Sequence, residues 1–190
     1  MSEKQVLDFF EQTGALLTGH FRLSSGLHSK KYLQCAVVLQ HPHLAERIGS
    51  AIAEKFMEAK PDSVVGPAIG GIVLAQEVAR ALGVKAMFTE RESGSMTLRR
   101  GFAVKKGERV LVVEDVTTTG DSVKEVLEAL GRMGAEVVGV GAIIDRSGGA
   151  AVFDVPFKAL ARLQVETFRE DECPLCRSCR PLYKPGSRKS

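Results

Sequence analysis

Long apolar runs are missing from this chain. Nothing approaches the roughly eighteen consecutive apolar residues that a membrane-crossing helix needs, so no such helix is predicted. The N-terminal stretch MSEKQVLDFFEQTG is charged and amphipathic and lacks the apolar core of a secretory signal, which makes the cytoplasm the expected compartment. An excess of one charge sign is missing as well. The net +3 is small for a nucleic-acid binder and owes much to Arg177, Arg180, Lys184, Arg188 and Lys189, a basic end of the solvated kind. Neither nucleic acid nor membrane is therefore an expected partner. No internal repeat is present. No Gly-Lys-Ser/Thr closes a glycine-rich loop, which excludes a P-loop.

Histidine and cysteine are few. His20, His28, His41 and His43 are the four histidines, none spaced as a metal-binding pair on a helix, and none is given a catalytic role. Of four cysteines, Cys35 stands alone, while Cys173, Cys176 and Cys179 lie in CPLCRSC. Two overlapping Cys-x-x-Cys pairs resemble half of a structural zinc site, with three thiolates leaving the ion one ligand short. A fourth ligand would have to come from elsewhere in the fold or from another subunit. The alternative is a reduced thiol cluster at the surface.

What remains is an ordinary globular composition, 44% hydrophobic and 26% charged, of a length that suits one domain with room for a small appendage. Its most informative stretch is Arg109 to Ser122, RVLVVEDVTTTGDS. Val110, Leu111, Val112 and Val113 read as a strand buried on both faces of a parallel sheet. Glu114 and Asp115 follow, then Thr117, Thr118, Thr119 and Gly120. A helical pattern then runs from Ser122 to Met133, with Val123, Val126, Leu127 and Leu130 on one face.

Each part has a chemical use. A loop opening a helix offers unpaired backbone N–H groups and the positive end of the helix dipole, which suits a phosphate. The Thr hydroxyls and Ser122 add donors, and Gly120 lets the backbone curl close to the anion. Carboxylates repel that phosphate. They accept hydrogen bonds from ribose hydroxyls and favour a cation developing on the sugar. The loop thus reads as a site for a ribose 5-phosphate. The plainer alternative is a strand–turn–helix in which Asp and Thr are ordinary caps.

The rest of the chain alternates. Helices are predicted over Glu3–Thr13 and Leu44–Ala59 and after Gly71. Strands are predicted over Tyr32–Val38, Ser63–Gly66, Val84–Thr89 and Val137–Ile144, with one or two edge strands before Val165. This order argues an α/β fold, a parallel sheet flanked by helices with right-handed crossovers. Ligands in such sheets bind beyond the carboxyl ends of the strands. The loops there are rich in Gly, Thr, Arg and Asp. In one of them Gly70 and Gly71 expose backbone N–H groups fit for a pyrophosphate, or simply make a tight turn. Asp145-Arg146 ends another strand, and the Arg fork suits a substrate carboxylate unless the two residues only pair with each other. Glu90–Gly101, with Arg91, Arg99 and Arg100, reads as a mobile flap that closes over the donor, or as a solvated hairpin.

On these residues the chain resembles the orotate phosphoribosyltransferases, a type I phosphoribosyltransferase family. The resemblance rests on the Glu114-Asp115 signature, Ser25-Gly26-x-x-Ser29 followed by Tyr32, GPAIGGIVLA, and the strand ending in Asp145-Arg146. It implies transfer of phosphoribosyl from 5-phospho-α-D-ribose 1-diphosphate to orotate, with Mg²⁺ as cofactor and a homodimer as the assembly. It implies three parts: an N-terminal helix and hood over the base (1–40), a core (41–168), and a Cys-containing basic tail (169–190). Glu114 and Asp115 would hold the ribose hydroxyls, as catalytic groups together with Arg91 and Arg99 of the flap. Val116, Thr117, Thr118, Thr119, Gly120, Asp121 and Ser122 would wrap the 5-phosphate, with Gly70 and Gly71 at the pyrophosphate. Thr118, Arg146 and Tyr32 would bind orotate. No protein residue is expected to ligate Mg²⁺, which would be held mainly through pyrophosphate and ribose hydroxyls. The chain departs from the family's pattern at Ser24, where Lys is frequent, and in a flap without Lys or His. The rivals are a purine phosphoribosyltransferase, for which Arg146 would lack a partner, and a nucleic-acid-binding regulator that keeps the sugar site as a sensor.

Overall fold

The structure is a computed structural model that describes residues 1–23 and 25–185. Ser24 and the basic Arg188 and Lys189 lie outside the described residues. The element order is α1 (Glu3–Gln12), β1 (Leu16–Arg22), β2 (His28–Leu33), α2 (Cys35–Leu39), α3 (Pro42–Phe56), β3 (Ser63–Pro67), α4 (Gly70–Leu82) and β4 (Lys85–Glu92). It continues β5 (Ser95–Leu98), β6 (Arg109–Thr117), α5 (Asp121–Arg132), β7 (Glu136–Asp145), β8 (Phe157–Arg162), β9 (Thr167–Phe168) and α6 (Pro174–Arg177).

Six strands form the main sheet in the order β5-β4-β3-β6-β7-β8. All its pairings are parallel except that of β5, an antiparallel edge strand. The continuous apolar run of β6 sits at the centre because both its faces are covered. Leu111 and Val113 enter the layer built by α1, α2, α3 and α4, where Phe10, Ile48, Ile52 and Leu74 are fully buried. Val110 and Val112 point the other way, into a layer with Val123, Val126 and Leu130 of α5. This is the period-2 alternation of a strand, and each fully buried aliphatic side chain contributes about 1.5–3 kcal/mol.

The predicted α/β fold is the one observed. β6, however, continues through the acidic pair to Thr117, with Glu114 opposite Ala142 and Thr117 opposite Asp145 on β7. The acids are thus strand residues rather than loop residues. Helix α5 starts at Asp121, one residue before the predicted start.

A second, three-stranded antiparallel sheet, β1-β2-β9, takes both strands of the segment expected as the hood (1–40) and adds β9 from beyond it; we call this sheet the hood. Here the sequence reading needs correction. The strand expected over Tyr32–Val38 ends at Leu33, and Cys35–Leu39 is a short helix. Its companion β1 was not anticipated, since its burial pattern is irregular and its ladder is interrupted by a bulge between Thr18 and Phe21. The segment after Phe168 returns to this hairpin. The Tyr183 carbonyl accepts from the Arg22 N–H and the Tyr183 N–H donates to the His20 carbonyl, both at 2.8 Å. The cysteines there do not form a surface cluster: Cys173 is buried and Cys176 half-buried, and only Cys179 is exposed.

The segment read as a mobile flap is a short hairpin of β4 and β5 turning at Ser93 and Gly94, both with positive φ. Its arginines are paired: Arg91 with Glu125 at 2.8 Å, Arg99 with Glu92 at 3.3 Å and Arg100 with Glu90 at 2.7 Å.

Candidate active site

The carboxyl end of β6 and the start of α5, with Arg91 of β4 at the edge, enclose a cleft of about 240 Å³. It is lined by Arg91, Glu114, Val116, Thr117, Thr118, Thr119, Gly120, Asp121, Ser122, Val123 and Glu125. The local sequence explains the shape. Gly120 caps α5 with φ +81°, a left-handed conformation that side chains seldom adopt, and a Cβ there would stand 2.9 Å from the Phe153 ring. Thr119 donates to the Asp121 carboxylate at 2.7 Å, which fixes the loop's exit into the helix. Thr118 and Thr119 are exposed, and the Thr117 hydroxyl is buried with no partner among the described residues. The first N–H groups of α5 face this loop, as an anion site requires.

Glu114 is buried and Asp115 partly so. Burial pushes the Glu114 carboxyl well above its ordinary 4.5, and the charge of Asp115 pushes it further. Burial also raises Asp115. Its Oδ1 accepts the Val116 N–H at 2.7 Å, and Glu114 Oε1 accepts the Asp115 N–H at 3.1 Å. Two carboxylates held together away from water seek donors or cations, and ribose hydroxyls meet that need. Across from them, Gly70 opens α4. A Cβ at Gly70 would lie 2.4 Å from Asp115 Oδ2, so glycine alone lets the β3–α4 turn approach this carboxylate. Gly71 is buried behind it.

Arg146 follows the last residue of β7, and its N–H donates to the Thr117 carbonyl at 2.8 Å. It does not pair with Asp145. That carboxylate instead accepts the Ser147 N–H at 2.8 Å and the Ser147 hydroxyl at 2.7 Å, with Arg162 at 3.9 Å. Arg146 is half-buried, burial lowers its pKa, and its Nε is buried with no partner among the described residues. Tyr32 of the hood is close enough to feel both charges: after burial, Asp115 raises its phenol pKa and Arg146 lowers it. The site thus gathers Glu114, Asp115, the 116–122 loop, Gly70, Arg146 and Tyr32. Arg91 stands at its rim. Arg99 does not line the cleft, being held by Glu92.

Cys35 was not singled out from the sequence. It is buried at the start of α2, and its thiol pKa is pushed well up, first by burial and then by Asp115 and Glu114. A lone Cys between Gln and Ala gives no local signal of this neighbourhood.

A ribose-phosphate cradle at the carboxyl end of a parallel strand, with an acidic pair at its mouth, defines a phosphoribosyltransferase. Comparison with known proteins agrees. The phosphoribosyl transferase domain family matches residues 36–171. The orotate phosphoribosyltransferase of Caldanaerobacter subterraneus subsp. tengcongensis is 56% identical over 189 residues, covering 100% of both chains. That of a Thermoanaerobacter species is 54% identical, again with 100% of both chains covered. Among solved structures, the orotate phosphoribosyltransferase of Aeropyrum pernix superposes with a TM-score of 0.69 at 28% identity, over 83% of this chain and 93% of that one. The chain belongs to the orotate phosphoribosyltransferase family.

Proposed function

We propose that this cleft transfers phosphoribosyl from 5-phospho-α-D-ribose 1-diphosphate to N1 of orotate, releasing pyrophosphate and giving orotidine 5′-monophosphate. Glu114 and Asp115 accept hydrogen bonds from the ribose hydroxyls and favour the positive charge that develops on the sugar as pyrophosphate leaves. The backbone from Val116 to Ser122 holds the 5-phosphate, and the N–H groups near Gly70 and Gly71 face the pyrophosphate. Arg146 grips the orotate carboxylate, Tyr32 lies against the base, and Thr118 contacts it. Orotate reacts as an anion, so no strong general base is required. The chain's contribution is positioning and electrostatics. For Arg91 or Arg99 to meet pyrophosphate, each must first leave its glutamate.

The cleft suits Mg²⁺. The groups facing it are carboxylate and hydroxyl oxygens, the hard ligands this ion prefers, and two raised carboxyls favour a cation nearby. Glu114 and Asp115, holding the ribose hydroxyls, would keep Mg²⁺ beside the pyrophosphate, where it would supply charge that offsets the leaving group. A cytoplasmic homodimer completes the reading. Among the described residues, no helix is long and apolar enough to cross a membrane.

One observation carries the choice of orotate over a purine. The Arg146 guanidinium is half-buried just past the strand that pairs with β6, and its Nε has no partner among the described residues. A carboxylate on the acceptor satisfies it, and adenine, hypoxanthine and xanthine have none. The test is loss of orotate absorbance on mixing with donor and Mg²⁺, with the three purines as parallel acceptors. Turnover with a purine and none with orotate would overturn the reading.

A further inference from the structure

The hood holds a second constellation, built from residues that the cleft does not use. His20 of β1, His28 of β2, and Cys173 and Cys176 beside α6 bring four ligand atoms within 4.8 Å of one another. His20 Nε2 stands 3.0 Å from His28 Nδ1. Cys176 Sγ is 3.2 Å from His28 Nδ1 and 3.7 Å from His20 Nε2, and Cys173 Sγ is 3.6 Å from the same nitrogen. Both histidines and Cys173 are buried.

We propose that these four residues bind one Zn²⁺ ion as a structural site that ties the C-terminal segment to the hood. Four N and S donors suit zinc, which prefers four-coordinate tetrahedral sites. With Zn–N near 2.0 Å and Zn–S near 2.3 Å, the edges of such a tetrahedron run from about 3.4 Å between nitrogens to about 3.8 Å between sulfurs. The observed separations need to open by only a few tenths of an ångström at the two shortest edges. Charge favours the site too. Two thiols give up their protons to solvent as Zn²⁺ enters between two neutral imidazoles, so the buried centre carries no net charge.

The His20 ring is already held in a ligating orientation, while His28 Nε2 is buried with no partner among the described residues. The Arg180 carbonyl lies 3.0 Å from His20 Nδ1. Donation from Nδ1–H to that carbonyl leaves the Nε2 lone pair facing the other three ligands, the arrangement that metal-bound histidines use. The Cys173 carbonyl accepts the Arg177 N–H at 3.2 Å in the turn that joins the two cysteines. The hairpin contributes through its irregularity. The register breaks between Thr18 and Phe21, which takes His20 out of the ladder. His28 pairs with Arg22 in the ladder, and its ring meets that of His20 with centroids 4.9 Å apart. The third cysteine, Cys179, is exposed and does not belong to the cluster.

The experiment uses untagged full-length protein, purified reduced and without chelator. Elemental analysis by plasma mass spectrometry should find about one zinc per chain. The metal-stripped protein titrated with Co²⁺ should develop the visible bands of a tetrahedral ion and a thiolate charge-transfer band, saturating at one equivalent. Cys179→Ser should leave both readouts unchanged. Cys176→Ser and His20→Asn should each lower zinc content at least tenfold. If those variants fail to fold, the cobalt titration of the wild-type chain still decides. Reduced protein that neither carries zinc nor develops the cobalt spectrum would overturn the proposal, as would a full zinc complement in Cys173→Ser/Cys176→Ser.

Discussion

The cleft at the end of β6 and the hood beside it are built on opposite terms. The cleft is local: Glu114, Asp115, the phosphate loop and the start of α5 are contiguous, and one strand–loop–helix unit positions them all. The hood is assembled from far apart: β1 and β2 near the N-terminus, β9 and Tyr183 near the other end. Contiguous machinery tolerates changes elsewhere in the chain, whereas a hood joined by distant segments depends on whatever holds those segments together. The proposed function divides the two substrates along the same line. Under that proposal the sugar phosphate would meet only the core, while the base would meet the core through Arg146 and the hood through Tyr32.

The largest effect should come from the acids. Asp115→Asn should cut kcat/KM by roughly 10²–10³-fold, the scale for losing one preorganised electrostatic contact to a reacting centre, with the fold intact by circular dichroism. Unchanged turnover would remove the cleft from the mechanism. Arg146→Ala should come next. Loss of charged hydrogen bonds of about 1.5–3 kcal/mol corresponds to an orotate affinity lower by roughly 10–150-fold. Titration calorimetry should show donor affinity changed less than about twofold, and equal losses for both ligands would erase the division between sugar and base. Gly70→Ala should displace the Asp115 carboxylate, raising the KM for the donor about tenfold while that for orotate stays nearly constant. At the rim, Arg91→Ala should lower kcat only several-fold, and Arg99→Ala less.

The smallest effect concerns stability and runs against function. The Glu114 and Asp115 pKa values are raised in the folded chain, so their contribution is fully present below their unfolded values, near 4.5 and 3.8, and is lost as pH rises through the folded values. The Glu114→Gln/Asp115→Asn chain carries no such loss. At neutral pH it should melt a few degrees higher than wild type, about 2–4 °C per kcal/mol for a chain of this size, with the gap closing below about pH 4. A lower melting temperature for the double variant at neutral pH would show that the acids are not held at a cost.

How much of this was legible in the sequence follows the same division. Val110 to Val113 announced a strand covered on both faces, and Glu114, Asp115 and the Thr-Gly run after it announced the cleft. That was possible because strand, acids and helix start adjoin. β1 gave no such signal, since its ladder is bulged and its residues do not alternate cleanly between core and solvent. The flap arginines were legible as charges, but their pairing with Glu90, Glu92 and Glu125 was not, because it depends on where the hairpin turns. His20 and His28 have no metal spacing of the kind a helix would show. A hairpin brings them together, and Cys173 and Cys176 arrive from some 150 residues away, a closure that no local pattern encodes.

The ladder between β6 and β7 sets Thr117 opposite Asp145, and the Arg146 N–H is bonded to the Thr117 carbonyl. The proposed clamp for the sugar and the proposed anchor for the incoming base are therefore riveted to neighbouring rails of one frame. If both roles hold, the span between anomeric carbon and attacking nitrogen would be set by hydrogen-bond register rather than by sliding either part. Any adjustment to a different acceptor has to come from the hood side, the one jaw of the vice that is free to be rebuilt.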